Sequence, residues 1–196
     1  FFVFSDYLKA ALRLSALQNL PVTYVFTHDS IAVGEDGPTH EPIEHLASLR
    51  TIPNTYVFRP ADATEAQAAW YLSQKVNNKP TSLVLTRQNL PVLENTSFEK
   101  VSKGAYVVYE TSSDFDTILI ATGSEVALAV DVARELEKEG SKVRVVSMPS
   151  VELFEEQSKE YKEELLPRSV RRRVSLEMGN TALWYKYVGL DGLAIG

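Results

Sequence analysis

Three side chains suited to proton and hydrogen-bond chemistry crowd one stretch of this chain. They are His28, Asp36 and His40, within T-H-D-S-I-A-V-G-E-D-G-P-T-H-E-P, Thr27 to Pro42. Histidine gains and loses a proton near neutral pH, and it both donates and accepts hydrogen bonds. A carboxylate between two histidines completes a set suited to one small polar substrate. Gly34 and Gly37 permit backbone angles that other residues resist, so the loop can close on such a ligand. The same residue types also make ordinary solvated loops. The flanking elements therefore decide whether the three groups converge.

Val22 to Phe26, before the loop, is apolar, β-branched and aromatic, and predicts a buried strand. Pro42 to Arg50, after it, predicts a helix with Pro in its first turn. Strand, long polar loop and helix is the arrangement by which open α/β sheets place ligands, beyond the strand's carboxyl end. Upstream, Phe4, Leu8, Ala11, Leu12 and Ser15 follow the helical period, predicting a helix over Phe4 to Leu17. Phe1, Phe4 and Tyr7 share one face of it and form an aromatic wall, which spacing alone reads as core. Downstream, Tyr56 to Phe58 is a second strand. Asp62 to Glu65 is a capping box opening a helix to about Val76, with Ala66, Ala69, Trp70 and Ser73 inward. Ser82 to Thr86 is a third strand, apolar as in a sheet covered on both faces, and it leaves Arg87 on the same rim as His28.

Leu90 to Lys103 has no period and predicts a linker. Thr117–Ala121, Ser124–Glu139, Val143–Ser147, Glu155–Leu165 and Arg171–Glu177 then alternate strand and helix. The fold class is therefore α/β, with two consecutive open, mainly parallel sheets with helices on both faces. The expected domains are 1–97 and 98–196.

Composition narrows the function. The net charge of the 196 residues is −6, which argues against wholesale nucleic-acid binding. There is no cysteine, which excludes disulfides and thiolate chemistry and fits a reducing, cytoplasmic compartment. No apolar run reaches membrane-spanning length, so no membrane partner is expected. The chain opens on Phe1-Phe2-Val3-Phe4 without Met and stops at Ile195-Gly196, so both ends are expected to be cuts within a longer chain. Thr122-Gly123-Ser124-Glu125 sits where helix amides cradle phosphates, but it lacks a full glycine fingerprint and predicts a plain turn. Arg171-Arg172-Arg173 predicts solvated charge. His28, Asp36, His40 and His45 are a conceivable metal set, but His40 and His45 do not share the helical spacing of paired zinc ligands.

G-E-D-G-P-T-H-E-P-I-E-H-L-A-S-L-R, Gly34 to Arg50, resembles the signature loop of transketolases. Further segments resemble that family in order: F-F-V-F-S-D-Y at Phe1–Tyr7, T-H-D-S at Thr27–Ser30, R-P-A-D at Arg59–Asp62 and T-R-Q-N-L at Thr86–Leu90. A-T-G-S-E-V at Ala121–Val126, V-R-V-V-S-M-P-S at Val143–Ser150 and W-Y-K-Y-V-G at Trp184–Gly189 continue it.

The resemblance implies an enzyme that uses thiamine diphosphate to move a two-carbon ketol unit from a ketose phosphate to an aldose phosphate. It implies most of a pyrimidine-binding domain followed by the first part of a C-terminal domain, in a homodimer whose active site lies between subunits. Phe1, Phe4 and Tyr7 would line the aminopyrimidine pocket. His40 would act near the reacting carbon, Asp36 on a sugar hydroxyl, and His28 and Arg87 on the substrate phosphate. The diphosphate and its Mg²⁺ or Ca²⁺ would sit on a preceding domain. The glutamate that activates the aminopyrimidine would lie upstream of Phe1, so neither Glu35 nor Glu41 takes that role. Sister thiamine enzymes, namely deoxyxylulose-phosphate synthase and dihydroxyacetone synthase, are the nearest alternatives. A noncatalytic module of the same fold and a metal-dependent hydrolase are the more distant ones.

Overall fold

Three short strands, β1 (Thr23–Thr27), β2 (Tyr56–Phe58) and β3 (Thr81–Leu85), pair in the order β1-β3-β2, all parallel. The computed structural model describes residues 1–196. β3 is central and buried from Thr81 to Val84, as its apolar run predicts. β1 is different. It lies at the sheet edge, and only Phe26 is buried while Val25 points outward. The expectation of a buried first strand is corrected, because an edge strand has a neighbour on one side only.

The second sheet contains β4 (Tyr106–Glu110), β5 (Thr117–Ala121), β6 (Val143–Ser147), β7 (Arg172–Leu176) and β8 (Leu193–Ile195), in the order β4-β6-β5-β7-β8. β4 runs antiparallel to β6; the other pairings are parallel. β5 is buried throughout, which its unbroken T-I-L-I-A predicts. β4 and β8 lie at the edges, where the sequence signal is weakest.

Eight helices flank the sheets. α1 (Ser5–Leu17) follows a 3-10 turn at Phe2–Phe4, and α2 is His45–Arg50. α3 (Ala63–Lys75), α4 (Phe98–Val101) and α5 (Glu125–Lys138) follow, then α6 (Val151–Glu155), α7 (Lys159–Leu165) and α8 (Tyr185–Val188). α2 starts three residues beyond Pro42, so that proline precedes the helix instead of opening it. The 3-10 turn buries Phe2 and leaves Phe4 outside, and α1 turns Ser5, Leu12, Ser15 and Ala16 inward, leaving Ala11 outside. The acidic segment from Glu155 to Leu165 breaks in two, because the Ser158 hydroxyl accepts from the Tyr161 amide and starts α7 afresh. In α3, Trp70 is half exposed and Glu65, Ala68, Ala69 and Ser73 face inward. The stripe is rotated because the cap holds Glu65 inside. The Asp62 carboxylate accepts from the Glu65 amide at 2.8 Å, and Glu65 accepts from the Ala61 amide at 2.6 Å.

The other Asp62 oxygen accepts from the Leu93 amide and the Thr96 hydroxyl, which ties the expected linker to α3. One apolar cluster serves both sheets. Tyr56, Phe58, Ala68, Ala69 and Leu83 from the first pack with Val101, Tyr106, Leu119, Val126 and Val145 from the second. Truncating a ring such as Phe58 in that position costs about 3–5 kcal/mol.

Candidate active-site rim

β1 ends at Thr27, and His28 follows with φ of 61°, a left-handed conformation uncommon for a residue with a side chain. The turn lays the His28 ring against Phe1, with centroids 3.8 Å apart and planes tilted by 31°. His40 comes from the far end of the loop and stands edge-on to Phe1 and to Phe4, 5.2 Å from each. The loop closes there through the His40 amide, which donates to the Gly37 carbonyl, and Gly34 and Gly37 take the positive φ that this path requires. Each histidine has its Nδ1 at its preceding threonine hydroxyl, 3.0 Å from Thr27 and 2.9 Å from Thr39. No protein hydrogen bond engages either Nε2.

The aromatic wall is open. Phe1 is 44% exposed, Phe4 43% and Tyr7 88%. The spacing-based reading of these rings as core is overturned: the core position on this side belongs to Phe2. Asp36 is exposed on the loop between the two glycines, and Arg87 is exposed just past β3. Register sets Thr27 opposite Leu85, so His28 and Arg87 leave the same end of neighbouring strands. The structure packs Phe1, Phe4, His28 and His40 together and sets Tyr7 6.2 Å from Phe4.

The conceivable metal set does not gather. His45 is buried and turns away, its Nε2 3.2 Å from Asp6 and its ring edge-on to Phe2. Asp6, Glu44 and His45 stand close instead.

Two family models cover nearly all of this architecture. The transketolase pyrimidine-binding domain matches residues 1–92, and the transketolase-like C-terminal domain matches residues 104–196. The chain belongs to the transketolase family. It is 70% identical over all 196 residues to a probable transketolase of Streptococcus pneumoniae, of which it spans 30%. The chain spans about a third or less of the curated relatives it matches. A transketolase of Pichia stipitis in complex with sedoheptulose 7-phosphate superposes over the whole chain with a TM-score of 0.94 at 47% identity, over 29% of its own length. An inactive β4 tetramer of a split-gene transketolase superposes with a TM-score of 0.79 at 26% identity, over 64% of its length.

Behind the rim lies a buried polar seam that motif reading of a transketolase sequence passes over. Arg59, the residue after β2, is fully buried and pairs with Asp29 at 2.8 Å and with Glu125. Arg50 forms a two-pronged pair with Glu177 at 2.7 and 2.8 Å, and Glu177 also accepts from Thr122 and the Trp184 indole. The Arg59 guanidinium packs on the Thr122-Gly123-Ser124 turn and donates to Thr122. The signal available was an arginine before proline at the end of an apolar strand. Its partners lie 30 and 66 residues away, beyond any local pattern. Arg173 is half-buried and donates to the Leu166, Pro167, Val170 and Tyr187 carbonyls, while Arg171 and Arg172 are exposed as solvated charge.

Burial pushes the Glu65 carboxyl up to about 7, against the pull of its bonds from Ser147, Tyr106 and the Ala61 amide. Burial would raise Glu177 as well, but the Arg50 charge and hydrogen bonds, with Arg59 and Thr122, bring it down to about 2. A carboxyl depressed in the folded state stabilises above its unfolded value of 4.5 and loses that contribution as pH falls toward 2. The Glu177 share is about 3 kcal/mol. Urea unfolding between pH 5 and 2 is expected to show a shallower loss in Glu177→Gln than in the parent protein. Equal slopes would remove Glu177 from the acid response.

Proposed function

We propose that the full-length protein carrying this chain is a transketolase acting on sugar phosphates with thiamine diphosphate and Mg²⁺ or Ca²⁺. The observation that carries this reading is the pairing of two histidines, each with Nε2 unengaged, against open aromatic rings at the strand ends. The sugar phosphate held by the Pichia stipitis relative is of the same substrate class. A domain boundary between residues 97 and 98, a cytoplasmic homodimer and an active site shared between subunits complete the proposal.

The residues fit the cofactor's flat aminopyrimidine. Phe1 and Phe4 are partly exposed, and aromatic rings pack a heterocycle while leaving its edge nitrogens free for hydrogen bonds. The diphosphate and its metal are assigned to the part of the relatives beyond this chain. Thiamine diphosphate would supply, when bound, a nucleophilic carbon and the electron sink that ketol transfer requires. The chain's own part is positioning and proton movement. Thr39 holds His40 through Nδ1, so Nε2 is the atom that exchanges a proton with the sugar hydroxyl beside the reacting carbon. Asp36 accepts from a sugar hydroxyl and sets stereochemical preference. His28 and Arg87 hold the phosphate, the arginine through two parallel bonds from its planar fork.

A coupled ketol-transfer assay on the full-length protein, with added thiamine diphosphate and Mg²⁺, tests the reading; absence of turnover with any ketose phosphate and aldose phosphate pair would sink it. Arg87→Ala is expected to raise KM for the aldose phosphate by roughly ten- to a hundredfold, the loss of one charge-assisted bond of about 1.5–3 kcal/mol. Equal losses with an unphosphorylated aldose would exclude the phosphate role. The split-gene relative is inactive as a β4 tetramer, and the 196-residue chain produced alone is expected to self-associate without turnover in the same way.

A further inference from the structure

We propose that the unit built on the second sheet positions the phosphate-binding histidine of the first, through Arg59 and Asp29. This rests on the phosphate role of His28 given above. The second unit grips Arg59 along its whole length. Its backbone amide donates to the Pro149 carbonyl at 2.9 Å, and its carbonyl accepts from the Gly123 amide at 3.1 Å. Its Nη1 donates to the Thr122 carbonyl and hydroxyl at 3.0 and 2.9 Å and to the Glu125 carboxylate. The same guanidinium reaches back into the first unit, where Nε donates to Asp29 Oδ2 at 2.8 Å.

Asp29 is buried and directly follows His28. A residue with a Cβ in the left-handed region is held there at a cost, and it stays only when its surroundings fix it. One side of His28 is the strand β1. The other is Asp29, clamped by Arg59 through one oxygen and accepting from Ser30 Oγ through the other at 3.2 Å. With Asp29 fixed, the His28 backbone cannot relax to extended geometry, and its ring stays on Phe1. Position is therefore passed from the Thr122–Glu125 turn to a side chain in the other unit. Gly123 is needed for the grip: a Cβ there would lie 2.7–2.9 Å from the Arg59 guanidinium. Neither Arg59 nor Asp29 touches substrate in this scheme; both act through His28.

The test uses full-length protein loaded with thiamine diphosphate and Mg²⁺, with ribose 5-phosphate and ribose compared as acceptors from one donor. Asp29→Asn keeps the shape of the side chain and leaves Arg59 paired with Glu125, so the variant is expected to fold. Its KM for ribose 5-phosphate is expected to rise about tenfold while that for ribose stays within about twofold, the pattern of a displaced phosphate contact. Gly123→Ala, in the second unit, is expected to shift the same ratio in the same direction. A merely structural role would lower the melting temperature and depress both acceptors alike, and that result overturns the proposal. So does an unchanged ratio of the two KM values in Asp29→Asn. A parent enzyme that turns over but shows no KM preference for the phosphorylated acceptor would instead remove the phosphate role of His28. No turnover in the parent would remove the transketolase reading itself.

Discussion

His40→Ala in the full-length enzyme is expected to lower kcat/KM by roughly a hundredfold or more, the scale of a positioned proton-transfer group. The geometry is the reason. The imidazole is fixed edge-on between Phe1 and Phe4 and tethered by Thr39, so its free nitrogen has one direction in which to work. Alanine removes that nitrogen and leaves the rings in place. Affinity for thiamine diphosphate should therefore change little, because the aminopyrimidine is assigned to ring faces that the substitution leaves untouched. Steady-state kinetics and a cofactor titration on the same preparation check both halves. A variant that keeps kcat/KM but binds the cofactor poorly would move His40 from the sugar to the cofactor.

The second large effect is complete loss of turnover. The 196-residue chain produced alone should fold, because its two sheets share one apolar cluster and each also closes a smaller cluster of its own. It should show no ketol transfer, since the diphosphate and its metal are assigned to the part of the relatives beyond this chain. Tyr7, Leu14, Leu17 and Val25 stay exposed, and such a surface favours association with another copy. Light scattering, circular dichroism and a ketol-transfer assay on a sample of confirmed intact mass check the three expectations. Steady turnover would contradict the assignment of the diphosphate elsewhere. Turnover regained on co-expression with the remainder of the gene would support it.

The sequence made the rim legible because its information is local. A strand, a glycine-bearing loop and a second strand fix where His28, His40 and Arg87 emerge, and the period of two or 3.6 is visible over a few residues. Central strands such as β3 and β5 were read within a residue or so, since burial on both faces forces an unbroken apolar run. Edge strands were harder. β4 alternates, bends at a bulge between Val107 and Tyr109 and runs against its neighbour, so nothing in Y-V-V-Y-E announces its partner. The aromatic wall misled for a related reason. Spacing places Phe1, Phe4 and Tyr7 on one face but cannot say whether that face meets protein or ligand. The polar seam was invisible, because its arginine pairs and the Tyr106–Glu65 bond join residues far apart in the chain.

That seam also limits how genes of this family can be recombined. A hybrid spliced between residues 92 and 104 would respect both family boundaries and still separate donors from their acceptors. Tyr56 would need Glu156 on the incoming half, Glu65 would need Tyr106 and Ser147, Arg50 would need Glu177, and Arg59 would need Glu125 with a glycine at 123. Losing Glu177 or Glu125 strands a buried arginine, at about 3–5 kcal/mol for each broken pair. Chimeras whose parents agree at these positions are expected to survive the crossover, whatever their identity elsewhere, and the two halves should be inherited as one block.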